Sequence, residues 1–370
     1  MRMTSSVSLL VALMLATGLV IPLTGAELTE PVEKPSIPST IADHPAVRGD
    51  EITPAQKQCV NKGLAWLAEQ QGEDGGYGGS PYASQDTHHA GITALAGLAF
   101  MQGGNLPARG KYGKNVQRCL DFVLNNCHES GLISSDNSNG AMYAHGFATL
   151  FLGEIYGMTG DEAVKDHLVK AVHLIERTQN PQGGWRYQPV PLDADISVTI
   201  CQVMALRAAR DGGVKVEKSV MDKAIKYVRE CQNDDGGFCY QAEMHGAGSG
   251  YARTAAGVSA LYYAGVFEGD DLERGLRYLA RFTPGSGEQA AEGMYFYGNY
   301  YAVQAMFLAG GDYWATFYPA IRDQLIERQD KTAGNWTGEA GDAYATSMAL
   351  IILQMPNRYL PVYSGKGPGD

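Results

Sequence analysis

A glutamine, a glycine one turn later and an aromatic just beyond it recur along this chain at one fixed interval: Gln71, Gly75 and Tyr77; Gln179, Gly183 and Trp185; Gln232, Gly236 and Phe238. A further copy, Gln329, Gly334 and Trp336, carries one extra residue before its glycine. Apolar pairs such as Leu174-Ile175 and Tyr227-Val228 precede the glutamine. A pattern returning about every fifty residues marks a repeat architecture, in which each unit buries its apolar face against its neighbours. Two more units are degenerate: Cys127 and Ile133 replace the glutamine and aromatic of the second, and Tyr295 stands for the aromatic of the fifth.

Around these frames the hydrophobic pattern predicts helices over 55–71, 88–101, 113–127, 143–156, 162–179, 197–210, 217–232, 254–264, 272–282, 300–308, 313–329 and 344–355. They alternate in kind. One member of each pair has a single apolar stripe; the other is apolar nearly all round. A striped helix lies at a surface and an all-apolar one is buried. Two concentric rings satisfy both, striped helices outside. No spare face carries the polar coat that the ends of an open solenoid need. The expected fold is therefore all-α: a single (α/α)6 toroid of six helical hairpins over 53–363, begun by an N-cap at Thr53 and Pro54 at the first helical position.

Within the frame the glutamine closes an outer helix, and its amide is expected to donate to that helix's unpaired last carbonyls. The glycine permits the tight turn. The aromatic plugs the space between hairpins. These are structural roles.

Residues 1–26 read as a signal peptide: Arg2, an apolar core over 7–21, and small residues Thr24-Gly25-Ala26 at the cleavage point. The core is short for a membrane span, and no later segment is apolar enough to cross. Residues 27–52, with Pro31, Pro35, Pro38 and Pro45, read as a linker, and 364–370 as a flexible tail. The expected location is secreted, periplasmic or otherwise in the cell envelope. Net charge is −11 and no Lys/Arg run stands out, which argues against nucleic acid as partner. Of six cysteines, Cys231 and Cys239 flank a turn they could bridge; Cys59, Cys119 and Cys201 fit as buried hydrophobes in helices. No CxxC spacing supports a zinc site, and no cofactor is implied.

In a toroid the inner helices all begin at one mouth. The residues there are the candidate site: Asp193 and Asp195; Asp86 and His88; His145; His245, Tyr251 and Arg253; Tyr297 and Tyr300; Asp342 and Tyr344. Helix N-termini attract anions. Asp195 has a structural alternative, capping the helix that follows it. His88 and His89 point apart on a helix and suit a hydrogen-bonded rim better than one ion. A carboxylate pair drawn from Asp86, Asp195 and Asp342 would serve glycoside cleavage if spaced roughly 5 to 9.5 Å apart.

The repeated frame resembles the QW repeat of squalene and oxidosqualene cyclases, and the chain resembles the wider superfamily of terpenoid cyclases and protein prenyltransferase β subunits. Asp193-Ala194-Asp195-Ile196 resembles the DxDD motif of squalene–hopene cyclases. That resemblance implies Asp195 as the proton donor to an alkene, with Asp193 beside it; Ile196 takes the place of the last Asp, and the second barrel of those enzymes has no counterpart in the chain. The prenyltransferase zinc site finds Tyr297 and Asn299 where Asp and Cys belong. Gly285-Ser286-Gly287-Glu288-Gln289 resembles a thioester motif but has Ser286 in place of its cysteine. Two functions are expected: an isoprenoid cyclase using Asp195, or a non-catalytic envelope module holding a lipid, peptide or glycan. Both take an apolar or extended ligand into an acidic, aromatic cavity.

Overall fold

The computed structural model describes residues 51–78, 88–135, 140–286, 288, 294–338 and 340–364. Within them twelve α-helices follow one another: α1 Pro54–Glu69, α2 Ala90–Gln102, α3 Gly113–Asn125, α4 Ala141–Thr159, α5 Glu162–Thr178, α6 Ile196–Asp211, α7 Lys218–Glu230, α8 Tyr251–Ala264, α9 Asp270–Ala280, α10 Tyr295–Ala309, α11 Gly311–Arg328 and α12 Asp342–Leu353. The even-numbered helices form a closed inner ring: α2 packs on α4, α4 on α6, α6 on α8, α8 on α10, α10 on α12 and α12 back on α2. The odd-numbered helices lie outside, and α11 meets α1 to close the outer ring. Every residue of α2 is buried, whereas α7 buries only the stripe Val220, Met221, Ala224, Tyr227 and Val228. Small residues set the inner spacing: a Cβ on Gly146 of α4 would fall 2.7 Å from the Cβ of Cys201 on α6. The fold is the expected α/α toroid.

Each frame ties one hairpin to the next. The side-chain amide of Gln179 donates to the carbonyls of Gly183 and Val220, both at 2.8 Å. Gln71, Gln232 and Gln329 repeat this with the next outer helix, at Asn115, Asp271 and Cys59. The last of these joins the final hairpin to the first. The glutamine therefore serves the next outer helix and its own turn, not the last carbonyls of its own helix as expected. Gly183 sits at φ +109°, and a Cβ there would lie 2.2 Å from the Lys223 carbonyl oxygen. The aromatic is buried, and its polar end reaches the outer helix: Trp185 Nε1 donates to Ile175 O at 2.8 Å. Its backbone N–H donates to a threonine in the first turn of the following inner helix, Thr199 for Trp185, Thr254 for Phe238 and Thr346 for Trp336.

Several helix starts differ from the sequence reading. α10 begins at Tyr295, not Tyr300, and α8 at Tyr251, not Thr254. A helix buried on all sides has no apolar–polar edge from which to read its ends. Tyr251, Arg253, Tyr297 and Tyr300 thus lie within helices rather than before them.

The lumen is crossed by side chains of α10. Tyr297 donates to Ser197 O at 2.9 Å, Tyr301 meets the Cys201 thiol at 3.2 Å, and Tyr300 reaches Met204 Sδ at 3.8 Å. Phe147 of α4, which faces α10 across the ring, packs edge-on against Tyr300 with centroids 6.1 Å apart. At the end where the inner helices finish, short 3-10 turns Met355–Asn357 and Pro361–Ser364 cover the ring, and the N–H of Val362 donates to Glu154 Oε1 at 3.1 Å. Tyr363 is buried there.

Residues 1–50, and with them the expected signal peptide and most of the linker, lie outside the described residues, as do 365–370. The linker's last part is not loose: Glu51 is buried and accepts from Trp314 Nε1 at 2.9 Å. All six cysteines are free thiols. Among the described residues no helix is long and apolar enough to cross a membrane.

Candidate functional site

Asp195 is the N-cap of α6. Its Oδ1 accepts from the N–H groups of Ser197 and Val198, both at 2.9 Å. Its own N–H donates to Trp185 O, which pins the cap to the aromatic of the frame. Oδ2 accepts from the Tyr240 hydroxyl at 3.2 Å and faces Arg186 Nε at 3.7 Å. The carboxyl is fully buried. Burial pushes it up to about 6, against the opposing pull of the Val198 N–H, the Tyr240 hydroxyl, the Ser197 N–H and the Arg186 charge.

Around it lies a small aromatic and charged cluster. The Arg186 guanidinium pairs with Asp193 and lies near two rings, 5.2 Å from the Tyr187 centroid and 5.9 Å from that of Tyr240. The Tyr187 and Tyr240 hydroxyls are hydrogen-bonded to one another. Tyr143 tilts against Tyr187 at 6.0 Å. Burial pushes both Tyr143 and Tyr240 up, so their hydroxyls stay protonated. The loop between Arg186 and Asp195 leaves Val190 and Leu192 exposed, Leu192 by 79%. At neutral pH Asp195 is an acceptor with both oxygens engaged, and the partly exposed surface above it offers ring faces and paired charges.

The other predicted residues disperse. His145 is fully buried in α4: its Nδ1 accepts the Ile133 N–H at 3.1 Å and its Nε2 donates to Ala171 O at 3.3 Å. Burial pushes it down to about 4. It does in the second repeat what threonine does in the first, third, fourth and sixth, and neither ring nitrogen is left for a ligand. His88 pairs with Asp74 at 2.7 Å, while His89 caps α2. His245 contacts Gln232 O at 3.0 Å and lines a surface groove of about 480 Å³ with Gln182, Arg229 and Glu243. Tyr251 is buried and donates to Asn299 at 2.8 Å. Arg253 bonds the carbonyls of Phe238 and Gly248, both at 3.3 Å. Tyr297 and Tyr300 fill the lumen. Asp342 opens α12 and accepts from Asn335 at 2.9 Å; Tyr344 packs against the core. Asp86 lies outside the described residues. Among those described, no group of three His, Cys, Asp or Glu residues is placed to hold a metal ion.

Arg186 and Tyr240 escaped the sequence reading. A signal existed: Tyr187 and Tyr240 occupy the same place, just past the frame aromatic, in consecutive repeats.

Two closed rings of helices around a filled lumen define an α/α toroid. The chain belongs to the prenyltransferase alpha-alpha toroid domain family, whose pattern it matches over residues 49–289. No curated protein matches it in sequence. Solved structures share the fold at low identity. One is an inactive variant of the α-1,6-mannanase GH76A of Salegentibacter sp. HEL1_6, in complex with α-1,6-mannotriose: TM-score 0.59, 10% identity, 82% of this chain and 99% of that one. A type II terpene cyclase from Scytonema, bound to its substrate geranylgeranyl dihydroxybenzoate, has TM-score 0.58, 14% identity, and coverage of 83% and 98%. Cellobiose 2-epimerase from Spirochaeta thermophila DSM 6192 has TM-score 0.61, 14% identity, and coverage of 82% and 98%.

Proposed function

We propose that this toroid is a binding module, exported by its N-terminal segment, that holds an extended saccharide across the mouth at Asp195 without transforming it. The observation that carries this reading is the occupancy of Asp195: both oxygens are engaged, and the α10 tyrosines fill the lumen one turn below. A polyprenyl chain needs a deep apolar cavity, whereas a sugar chain stacks on ring faces and bonds to fixed polar edges. Tyr143, Tyr187 and Tyr240 supply rings, and Arg186 with Asp193 supplies the edges. The mannanase and the epimerase that share the fold act on sugars, which fits this choice.

The test is calorimetric titration with defined oligosaccharides, mannan- and cellulose-derived among them, beside chromatography of the sugars afterwards. Binding lost in Tyr240→Ala, with the sugars recovered unchanged, is expected. Sugars released or altered by the wild type would overturn the non-catalytic reading, and no binding by a folded protein would overturn the ligand class.

A second reading rests on the upward shift of the Asp195 carboxyl: a buried acid near aromatic rings is the arrangement that protonates an alkene. Product analysis by gas chromatography–mass spectrometry after incubation with squalene, beside Asp195→Asn, tests it. A cyclic product made only by the wild type would establish it over the binding reading.

A further inference from the structure

The buried thiols of Cys231 and Cys239 play no part in the mouth chemistry, yet their residues face each other across one turn. Cys231 is the C-cap of α7, and the chain then turns through Gly236 and comes back. Gln232 and Phe238 pair as an antiparallel bridge, and the Cys239 N–H donates to Cys231 O at 2.9 Å. The cysteines are thus the next pair outward across a short antiparallel ladder, where facing hydrogen-bonded residues have Cα atoms about 5.5 Å apart, within the span of about 4.4–6.8 Å that a disulfide bridges. The Cys239 thiol donates to Gln241 O at 3.0 Å, a bond it must give up to react. Three of the other thiols have polar contacts elsewhere: Cys119 with Gln71, Cys127 with Val123 O and Cys201 with Tyr301.

We propose that Cys231 and Cys239 form a reversible disulfide that fastens the mouth of the toroid. The oxidant is a small disulfide such as oxidised glutathione, or a disulfide oxidoreductase acting in the same way. Burial pushes both thiols up, and Cys239 reacts first because the Arg253 charge offsets part of that push there. Having given its proton to solvent, Cys239 attacks one glutathione sulfur. A mixed disulfide forms and one glutathione thiolate leaves, taking up a proton. Cys231 then loses its proton and attacks the Cys239 sulfur, expelling the second glutathione. Two protein thiols become one disulfide, and one glutathione disulfide becomes two thiols. The bond fixes the backbone next to Tyr240, whose carbonyl accepts the Ile196 N–H at 3.0 Å and whose hydroxyl holds Asp195.

Because both thiols are buried, the test refolds the reduced full chain in a glutathione redox buffer, alkylates it after denaturation and maps the peptides by mass spectrometry. The expected protein has lost the mass of two hydrogens and carries a 231–239 cross-linked peptide. Adding dithiothreitol restores all six thiols. Cys59→Ala keeps the bond and Cys239→Ser abolishes it. A folded protein with both cysteines alkylated, or with either joined to a different partner, overturns the proposal.

Discussion

The Tyr240 hydroxyl donates at 3.2 Å to the carboxylate of Asp195, the residue that caps α6. One repeat thereby supplies the clamp for the helix start of the repeat before it. Removing the carboxylate therefore does two things: it uncaps α6, and it takes an acceptor from Tyr240 and a nearby opposite charge from Arg186. Asp195→Ala is expected to lower unfolding stability by about 2–4 kcal/mol. Asp195→Asn keeps an oxygen for the Ser197 and Val198 N–H groups and should cost less than half of that. Urea denaturation of the two variants checks the ranking; equal losses would show that the cap contributes little.

Two buried groups at the inner helices, Asp195 and His145, titrate with opposite signs. Asp195 is pushed up to about 6 in the folded state, so between its ordinary value and 6 the native protein holds a proton that the unfolded chain releases, and stability falls as pH rises through that window. His145 is pushed down to about 4, so the unfolded chain takes up a proton that the native state refuses, and stability falls as pH drops from 6.5 toward 4. The two slopes oppose each other in wild type. Asp195→Asn removes one falling slope, so relative to wild type stability should shift toward climbing with pH between 4 and 6. Denaturation midpoints across that range check it, and an unchanged slope would contradict the assignment.

The fold was legible because its repeats carry their own spacing. Gln179, Gly183 and Trp185 must lie at fixed intervals, since one amide has to reach both its own turn and Val220 of the next outer helix. The cap role of Asp195 was legible for the same local reason. What a sequence does not display is contact across a lumen. Nothing local to Tyr297 or Tyr300 says that they meet Ser197 and Met204, so residues that fill the barrel looked like residues that line a cavity. His145 misled similarly: it stands where other repeats place threonine, and its two hydrogen bonds come from separate segments, at Ile133 and Ala171.

The turn glycines give a sharper test of the frame. At Gly183 φ is +109° and a Cβ would meet the Lys223 carbonyl oxygen at 2.2 Å, so Gly183→Ala combines backbone strain with a backbone clash. A loss of about 2–4 kcal/mol is expected. Gly213 also has a positive φ, +93°, but open space around it; Gly213→Ala should lose only about 1–2 kcal/mol. Thermal unfolding of the pair separates contact from conformation, and matching losses would mean that the frame glycine is kept for its φ alone.

Glu154 offers the last test, at the closed end of the ring. It is buried, accepts the Val362 N–H through Oε1, and is pushed up to about 8 by burial, which outweighs the opposing pull of the Val362 N–H, with the nearby Asp211 charge adding to the push. Across the range from 4.5 to about 8 the native state therefore keeps a proton that the unfolded chain has lost, and this group's contribution to stability declines as pH rises. Glu154→Gln mimics the protonated form, keeps an oxygen for Val362, and removes the titration. It should match wild type near pH 5 and exceed it at pH 8 and above. Because the carboxyl meets the C-terminal segment, the ionised wild type should also loosen there first, with faster amide exchange at Val362 and Tyr363 above pH 8 than in the variant. Exchange rates at those two amides that are the same in both proteins would mean that Glu154 does not hold the segment in place.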